Sequence, residues 1–128
     1  TRVLWIEGDG SALMSLGTLP LIAAEAPSNL IHVVLDNEAY ESTGGQPTIG
    51  SEVSLAAIGE AAGYPHVAAV ENIEALGGAL RDGAAMNGPR LIVVKASIVE
   101  REGIPRVSHA PEEIRDRFKS QAIGHSGD

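Results

Sequence analysis

Four short apolar runs constrain the fold of this chain more than any other feature. They read RVLWIE, LIHVVLD, HVAAV and RLIVVKA, at residues 2–7, 30–36, 66–70 and 90–96. Each run is nearly continuous in its apolar character, which is typical of parallel strands that are covered on both faces. Helical patterns separate the runs. The sequence therefore predicts an α/β fold, with a parallel sheet that has helices on both faces.

Four helices are predicted between and after these strands, at residues 11–25, 52–62, 73–86 and from 111 onward. Asn72 is a good N-cap, Gly63 is a natural helix stop, and Pro111 suits a first helical turn. The first helix has no charged residue before Glu25. A helix that is apolar all round is buried on all sides, so we expect a subunit or domain interface over this one. Pro20 is expected to kink this helix or to end it early.

Length, charge and hydropathy exclude several classes of function. The chain has 128 residues, a formal net charge of −8 and no cysteine. The negative charge argues against nucleic acids and anionic membranes as partners, and the lack of cysteine excludes disulfides and thiolate metal sites. The longest nearly apolar run, LGTLPLIAA, is far shorter than the roughly 20 residues of a membrane-spanning helix. No signal peptide is visible, and we expect a cytoplasmic protein.

The predicted domain organisation is simple. We expect one domain over residues 1–123 and a flexible tail at residues 124–128. Residue 1 is threonine rather than methionine, and a strand that is predicted to be buried begins almost immediately. We therefore expect the domain to be truncated at its N-terminus, as a piece of a longer chain.

Polar residues follow the first two predicted strands where these strands end. The sequence GDGS, from Gly8, follows the first strand, and the sequence DN, at residues 36–37, ends the second. Ligands of open parallel sheets bind beyond the carboxyl ends of the strands, and a right-handed crossover brings these two ends together. Asp9 and Asn37 offer hard oxygen ligands, which suit Mg²⁺ or Ca²⁺. The sequence predicts a metal bound by both residues, with Ser11 and nearby amides facing a diphosphate.

The same residues carry a family resemblance. GDGSALMSLG, followed by LDN at the end of the next strand, is similar to the signature of thiamine diphosphate enzymes. The continuation NEAYESTGGQPT resembles the phosphonopyruvate and sulfopyruvate decarboxylases, in which a Gly-Gly-Gln-Pro-Thr loop follows the asparagine. The resemblance continues through RLIVVKA and IPRVSHAPEEIRDRF and covers nearly the whole chain. It implies the pyrophosphate-binding domain of such a decarboxylase, with thiamine diphosphate and Mg²⁺ as cofactors.

The resemblance also implies roles for individual residues. Three Mg²⁺ ligands are expected: the side chains of Asp9 and Asn37, and the backbone carbonyl of Ala39. The cofactor-binding residues that it implies are Gly8, Asp9, Gly10, Ser11, Asn37, Ala39, Tyr40, Glu41, Thr43 and Gly44. Gly44 and Gly45 have a further reason to be glycine, because backbone amides must come close to phosphate oxygens.

Several neighbouring residues keep two interpretations. Asp36 is either a cap of the loop or a cofactor contact. Tyr40 and Glu41 are either loop residues or ligand contacts. Gln46 and Thr48 are expected to shape the loop rather than to react.

The histidines give no sign of catalysis. His32 lies in the middle of a predicted strand and is expected to be a structural, hydrogen-bonded residue. His66 begins a strand, and His109 is expected in a solvated turn. No catalytic residue is predicted in this chain.

The resemblance implies that the chain is one half of an active site. In the family, the glutamate that activates the cofactor lies in a separate pyrimidine-binding domain, which this sequence lacks. We therefore expect a pyrimidine-binding domain or α subunit as partner, a homo- or hetero-oligomer, and no activity of this chain alone. The implied substrate is a small 2-oxo acid with an anionic head, phosphonopyruvate or sulfopyruvate. Arg101 and Arg106 are candidates for contacts with that head.

Two other functions stay open from the sequence. The β subunits of 2-oxo acid:ferredoxin oxidoreductases also pair Gly-Asp-Gly with a Thr-Gly-Gly-Gln loop, although the absence of cysteine argues against a subunit that holds iron–sulfur clusters. The other alternative is a non-catalytic assembly module, held in place by the apolar helix at residues 11–25. The intact pair Asp9 and Asn37 argues against this alternative.

Overall fold

A computed structural model describes residues 1–98, 103, 105 and 107–123 of the chain. The chain divides into two compact units, one of Arg2–Ile98 and the other of Thr1 with Val99–Asp128. The predicted domain over residues 1–123 stays a prediction. The tail predicted at residues 124–128 lies outside the described residues.

Strands and helices alternate through the larger unit, and the smaller unit contains one described helix. The strands are β1 (Val3–Gly8), β2 (Leu30–Asp36), β3 (Ala39–Tyr40), β4 (Gln46–Pro47), β5 (His66–Val70) and β6 (Arg90–Lys95). The helices are α1 (Asp9–Met14), α2 (Thr18–Glu25), α3 (Leu55–Ala62), α4 (Ile73–Ala85) and α5 (Pro111–Ile123). Short 3₁₀ turns lie at Glu41–Thr43 and Ile49–Ser51.

The four predicted strands form one parallel sheet in the order β1-β2-β6-β5. The strands β3 and β4 pair separately as a small antiparallel hairpin. In the register of the large sheet, Gly8 lies opposite Leu35, and Asp36 lies opposite Lys95. The carboxyl ends of β1, β2 and β6 therefore meet at one edge of the sheet, and the sequence predicts this for β1 and β2.

Helices cover both faces of the sheet, and each face has its own apolar core. Val34, Leu91 and Val93 point to the face packed by α1, α2 and α3, whereas Val33 and Ile92 point to the face packed by α4. Residues that are adjacent along β2 and β6 thus belong to opposite cores, because strand side chains alternate in direction. The predicted fold class, a parallel α/β sheet covered on both sides, is confirmed.

The predicted helix over residues 11–25 is wrong, because two helices occupy this region. The helix α1 begins at Asp9 and ends at Met14, and α2 begins at Thr18. The break comes at residues 15–17 rather than at Pro20. The proline is the third residue of α2, where a helix needs no N–H donor, so it does not disturb this helix.

The other helices begin close to the predicted residues. The helix α3 starts at Leu55 instead of residue 52, because the side chain of Ser54 caps it by accepting from Ala57 N at 3.2 Å. The predicted N-cap Asn72 is confirmed, with 2.8 Å from its Oδ1 to Ala75 N. Among the described helices, none has the length and hydropathy that crossing a bilayer requires.

Large apolar side chains remain exposed around β1, which is an edge strand of the sheet. Leu4 and Ile6 are 52% and 56% exposed, Met14 of α1 is 80% exposed, and Leu21 of α2 is 65% exposed. The register places Leu4 and Ile6 on the α4 side of the sheet, whereas Met14 and Leu21 belong to the helices on the other side. Exposed apolar side chains on α1 and α2 support the hypothesis of an interface over residues 11–25.

A buried hydrogen-bond chain joins β1, β2 and the segment after α3. Glu7 accepts from His32 Nε2 at 2.7 Å, and His32 Nδ1 lies 3.0 Å from the Tyr64 hydroxyl. A carboxylate only accepts, so the imidazole donates from Nε2 and accepts the Tyr64 proton at Nδ1. The Trp5 ring stacks on the imidazole at 4.2 Å. The prediction that His32 is a structural, hydrogen-bonded residue is confirmed.

Burial keeps the imidazole of His32 in its uncharged form. His32 is fully buried, and this burial lowers its pKa from 6.5 more than the hydrogen bond and charge of Glu7 raise it. Burial, and then the charge of Glu7, raise the pKa of Tyr64 to about 12. The neutral forms of both rings therefore belong to the folded protein.

The lowered pKa of His32 predicts a loss of stability in mild acid. The unfolded chain binds a proton on this residue at a higher pH than the folded chain does, so acid favours unfolding. The contribution of His32 is full above about pH 6.5 and decreases as the pH falls toward its folded-state pKa. Urea unfolding at a series of pH values should show a steeper loss in the wild type than in His32→Gln.

Tyr64→Phe is the matched control, because it removes a hydrogen bond but leaves the imidazole buried. It should lower stability at every pH and keep the slope of the wild type. An equal slope in the wild type and in His32→Gln would contradict the burial argument.

Candidate functional site

A cavity of about 340 Å³ lies beyond the carboxyl ends of β1 and β2. Its lining residues are Gly8, Asp9, Gly10, Ser11, Leu35, Asn37, Ala39, Tyr40, Glu41 and Ser42. The structure thus brings together eight of the ten residues that the sequence predicts to bind a cofactor. The other two, Thr43 and Gly44, lie on the same loop but do not line this cavity.

Asp9 is the most deeply buried polar residue of the cavity. It is 1% exposed, and its Oδ2 accepts from Thr48 Oγ1 at 2.5 Å. Thr48 Oγ1 in turn accepts from Gly50 N at 3.1 Å. The described residues show no ion pair of this carboxylate with a basic side chain. A buried carboxylate with only a neutral donor favours a bound cation, because an unpaired charge in the interior is costly.

Asn37 is oriented by two hydrogen bonds within its own loop. Its Oδ1 accepts from Ala39 N at 3.1 Å, and its Nδ2 donates to Glu41 Oε2 at 2.8 Å. The amide oxygen keeps a second lone pair for another partner. Glu41 therefore has an identifiable role, which is to set the orientation of the Asn37 amide.

The turn between Asn37 and Ala39 has an unusual backbone conformation. Glu38 has φ +58°, in the left-handed region that non-glycine residues seldom adopt. An ammonium–carboxylate pair with Lys95 Nζ, which also contacts Asp36 Oδ2 at 3.1 Å, fixes the Glu38 side chain. These contacts, led by the hydrogen bond to Glu38, raise the pKa of Lys95. Strained backbone of this type is often found at functional sites.

Asp36, the last residue of β2, contacts the following loop and does not line this cavity. Its Oδ1 accepts from Glu38 N at 3.3 Å, and its Oδ2 faces Lys95. This geometry matches the interpretation of Asp36 as a loop cap. It lines instead a neighbouring cavity of about 500 Å³ at the ends of β2, β5 and β6, whose other charged residues are Glu38, Glu52, Glu71 and Lys95.

Tyr40 closes the cavity against Gly10. A Cβ atom on Gly10 would lie 2.6 Å from two ring carbons of Tyr40, so only glycine fits. Gly44 and Gly45 have φ angles of +126° and +74°, which explains glycine at both positions through their backbone conformation. Gln46 and Thr48 do shape the loop, since Gln46 Nε2 donates to Thr43 O and Thr48 N donates to Glu38 O.

Sequence reasoning missed two features of the site. Leu35 lines the cavity, but a leucine in an apolar strand carries no signal of this role. The direct contact of Thr48 with Asp9 spans 39 residues of sequence, and only the folded chain reveals it. Arg101 and Arg106, the candidates for an anionic head, lie outside the described residues.

The donor set fits a divalent cation that is shared with a ligand. Asp9 and Asn37 offer two side-chain oxygens, and Ala39 offers a carbonyl. The described residues contain no group of three or more acidic, histidine or cysteine side chains placed to hold a metal. Mg²⁺ commonly takes only one or two protein carboxylates, with phosphate oxygens and water completing its coordination.

Comparison with known protein families shows to which family this chain belongs. The model of the thiamine pyrophosphate enzyme, C-terminal TPP-binding domain, matches residues 1–94. The match covers well over half of the chain and includes the whole candidate site. The chain therefore belongs to this family of thiamine pyrophosphate enzymes.

Several curated proteins are similar to this chain in sequence. Phosphonopyruvate decarboxylases of Streptomyces viridochromogenes and Streptomyces hygroscopicus are 41% and 43% identical, over 92% and 94% of this chain. The sulfopyruvate decarboxylase subunit beta of Methanothermobacter thermautotrophicus is 35% identical over 99% of it. The chain spans 30% of each Streptomyces protein and 65% of the Methanothermobacter subunit.

The close approach of Tyr40 to Gly10 predicts a sharp difference between two glycines. Gly10→Ala places a methyl group 2.6 Å from the ring and should lower the free energy of unfolding by about 1–3 kcal/mol. Gly8→Ala is the matched control, because its Cβ would have no neighbour within 4 Å. Chemical denaturation measures both.

In a protein that already carries Tyr40→Ala, adding Gly10→Ala should lower the free energy of unfolding much less than it does in the wild type, because the ring that the methyl group would meet is absent. If Gly10→Ala proves as mild as Gly8→Ala, the described packing of Tyr40 is wrong.

Proposed function

We propose that this chain supplies the Mg²⁺–diphosphate half of the active site in a thiamine diphosphate-dependent decarboxylase of a 2-oxo acid. The observation that carries the proposal is the cavity in which buried Asp9 and oriented Asn37 meet at adjacent strand ends. The names of the relatives, all decarboxylases of phosphonopyruvate or sulfopyruvate, support the reaction class.

The proposed roles of the residues follow from their contacts. Asp9 and Asn37 would bind Mg²⁺ through side-chain oxygens, and Ala39 through its carbonyl. Ser11 and Tyr40 line the cavity where the diphosphate would lie. When bound, thiamine diphosphate would supply the electron sink that loss of carbon dioxide from a 2-oxo acid requires. The proposal gives this chain the task of holding and orienting the cofactor and assigns it no proton-transfer residue.

A partner is part of the proposal. The three sulfopyruvate decarboxylase relatives named as β subunits suggest an α subunit, and the longer relatives suggest a pyrimidine-binding domain on the same chain. The exposed apolar residues Leu4, Ile6, Met14 and Leu21 support an interface in a homo- or hetero-oligomer. This partner would provide the activating glutamate that the resemblance implies.

The proposed substrate is a 2-oxo acid with a phosphonate or sulfonate head. The larger cavity beside the site does not suit such an anion, because four of its five charged lining residues are carboxylates. Its lysine is already paired with Asp36 and Glu38. Contacts with the anionic head would then come from the partner or from residues outside the described part of the chain, such as Arg101 and Arg106.

The two alternatives are less well supported. The named relatives are decarboxylases rather than ferredoxin-linked oxidoreductases. A vestigial assembly module would not need to keep Asp9 buried with no cationic partner among the described residues, because a neutral residue at this position would relieve the cost of burying a charge.

Asp9→Asn tests the proposal most simply. The substitution preserves shape and an acceptor for Thr48, but it removes the charge that would bind Mg²⁺. Calorimetric titration of thiamine diphosphate into the full-length protein should show Mg²⁺-dependent binding that weakens by more than about a hundredfold in this variant. Without metal, the stability of the variant should equal or exceed that of the wild type.

Asp82→Asn is the control, because Asp82 is exposed on α4, away from the cavity. It should bind as the wild type does. Equal affinity of the wild type and Asp9→Asn would refute the assigned metal ligand.

A further inference from the structure

We propose that Thr48 is a positioning residue that makes the site prefer Mg²⁺ over Ca²⁺. It would do so by holding Oδ2 of Asp9 in a hydrogen bond, which favours binding of the metal through Oδ1 alone. The inference rests on the proposed function and adds a determinant of metal choice.

The Thr48 hydroxyl has a fixed direction. Thr48 is buried, with 6% of its surface exposed, and its hydroxyl oxygen accepts a hydrogen bond from Gly50 N at 3.1 Å. The hydroxyl therefore donates its own proton to Asp9 Oδ2, with 2.5 Å between the two oxygens. The backbone is held as well, because Thr48 N donates to the Glu38 carbonyl at 2.9 Å.

Glycine is required at residue 50, beside the same oxygen. A Cβ atom on Gly50 would lie 3.3 Å from Asp9 Oδ2, 3.1 Å from Thr48 Oγ1 and 2.8 Å from Asp36 Oδ1. A side chain at residue 50 would therefore crowd Asp9, Thr48 and Asp36, and glycine leaves their hydrogen bonds undisturbed. Oδ1 is the carboxylate oxygen of Asp9 that carries no such hydrogen bond among the described residues.

This asymmetry discriminates between two hard cations. Mg²⁺ requires six ligands in near-ideal octahedral geometry at about 2.0–2.1 Å, whereas Ca²⁺ takes six to eight at about 2.3–2.6 Å, with carboxylates often bidentate. The hydrogen bond takes one of the two lone pairs of Oδ2 and directs this oxygen toward Thr48, which disfavours the binding of one cation by both carboxylate oxygens. Mg²⁺ loses nothing by this restriction, but Ca²⁺ loses a ligand that it would otherwise gain.

A merely structural role for Thr48 has a different consequence. If the hydroxyl only stabilised the loop, its removal would weaken the binding of both cations by the same factor. The ratio of the two dissociation constants therefore separates the two roles, and this ratio does not depend on enzyme activity.

The experiment is a calorimetric titration of MgCl₂, and separately of CaCl₂, into the full-length protein assembled with its pyrimidine-binding half and saturated with thiamine diphosphate. In Thr48→Val the Kd for Mg²⁺ should rise about tenfold, as for other residues that orient metal ligands. The Kd for Ca²⁺ should rise less, so that the preference for Mg²⁺ falls by at least about threefold.

Thr48→Ser keeps the hydroxyl and should retain the wild-type ratio. Thr18→Val makes the same chemical change at the start of α2, where the hydroxyl bonds the Ser15 carbonyl, and should also retain it. If Thr48→Val does not fold, Thr48→Ala removes the hydroxyl without placing a methyl group against the carboxylate and carries the same prediction.

The outcomes separate this inference from the proposed function. Mg²⁺-dependent binding in the wild type with an unchanged ratio in Thr48→Val overturns the role of Thr48 alone. A wild type that binds Ca²⁺ as tightly as Mg²⁺ also overturns it. Absence of any metal-dependent cofactor binding in the wild type overturns the proposed function, and the inference with it.

Discussion

The hydrogen bond from Thr48 to Asp9 is the interaction on which the candidate site depends. It connects the end of β1 to a loop 39 residues later and holds a carboxylate that is almost completely buried. Removing an ionised carboxylate from water costs several kcal/mol when no cation compensates it. Asp9 is buried at the edge of the sheet despite this unfavourable free energy. In the proposed function, a bound cation and its ligand would offset it.

The parallel sheet makes this arrangement possible. Its register brings the ends of β1, β2 and β6 to one edge, so that the start of α1 and the loop after β2 line one cavity. Lys95 at the end of β6 pairs with Asp36 and Glu38 and supports the left-handed turn at Glu38. That turn is what carries the chain from the amide of Asn37 to the carbonyl of Ala39. The conformation of the candidate site thus depends on an ion pair that does not itself line the cavity.

Much of the fold and of the site could be predicted from local patterns. The continuous apolar runs were sufficient for four parallel strands, and the position of Asp9 and Asn37 at two strand ends was sufficient to expect them together. The break between α1 and α2 was missed because Pro20 is a stronger apparent signal than Gly17, although a proline in a first turn is harmless.

Contacts between distant side chains could not be predicted in the same way. The pairing of Thr48 with Asp9, and the chain from Glu7 through His32 to Tyr64, depend on how loops and helices pack over the sheet. No periodicity or motif encodes such a pair. The packing of Tyr40 against Gly10 is an intermediate case, since the motif indicates a required glycine but not the ring that requires it.

A crystal structure of the full-length protein with Mg²⁺ and thiamine diphosphate tests the central claim most directly. We expect the ion within about 2.1 Å of one Asp9 oxygen, Asn37 Oδ1 and the Ala39 carbonyl, with the second Asp9 oxygen still bound to Thr48. The diphosphate should lie in the cavity between Ser11 and Tyr40. A diphosphate bound elsewhere, or an ion without Asp9 among its ligands, would contradict the account.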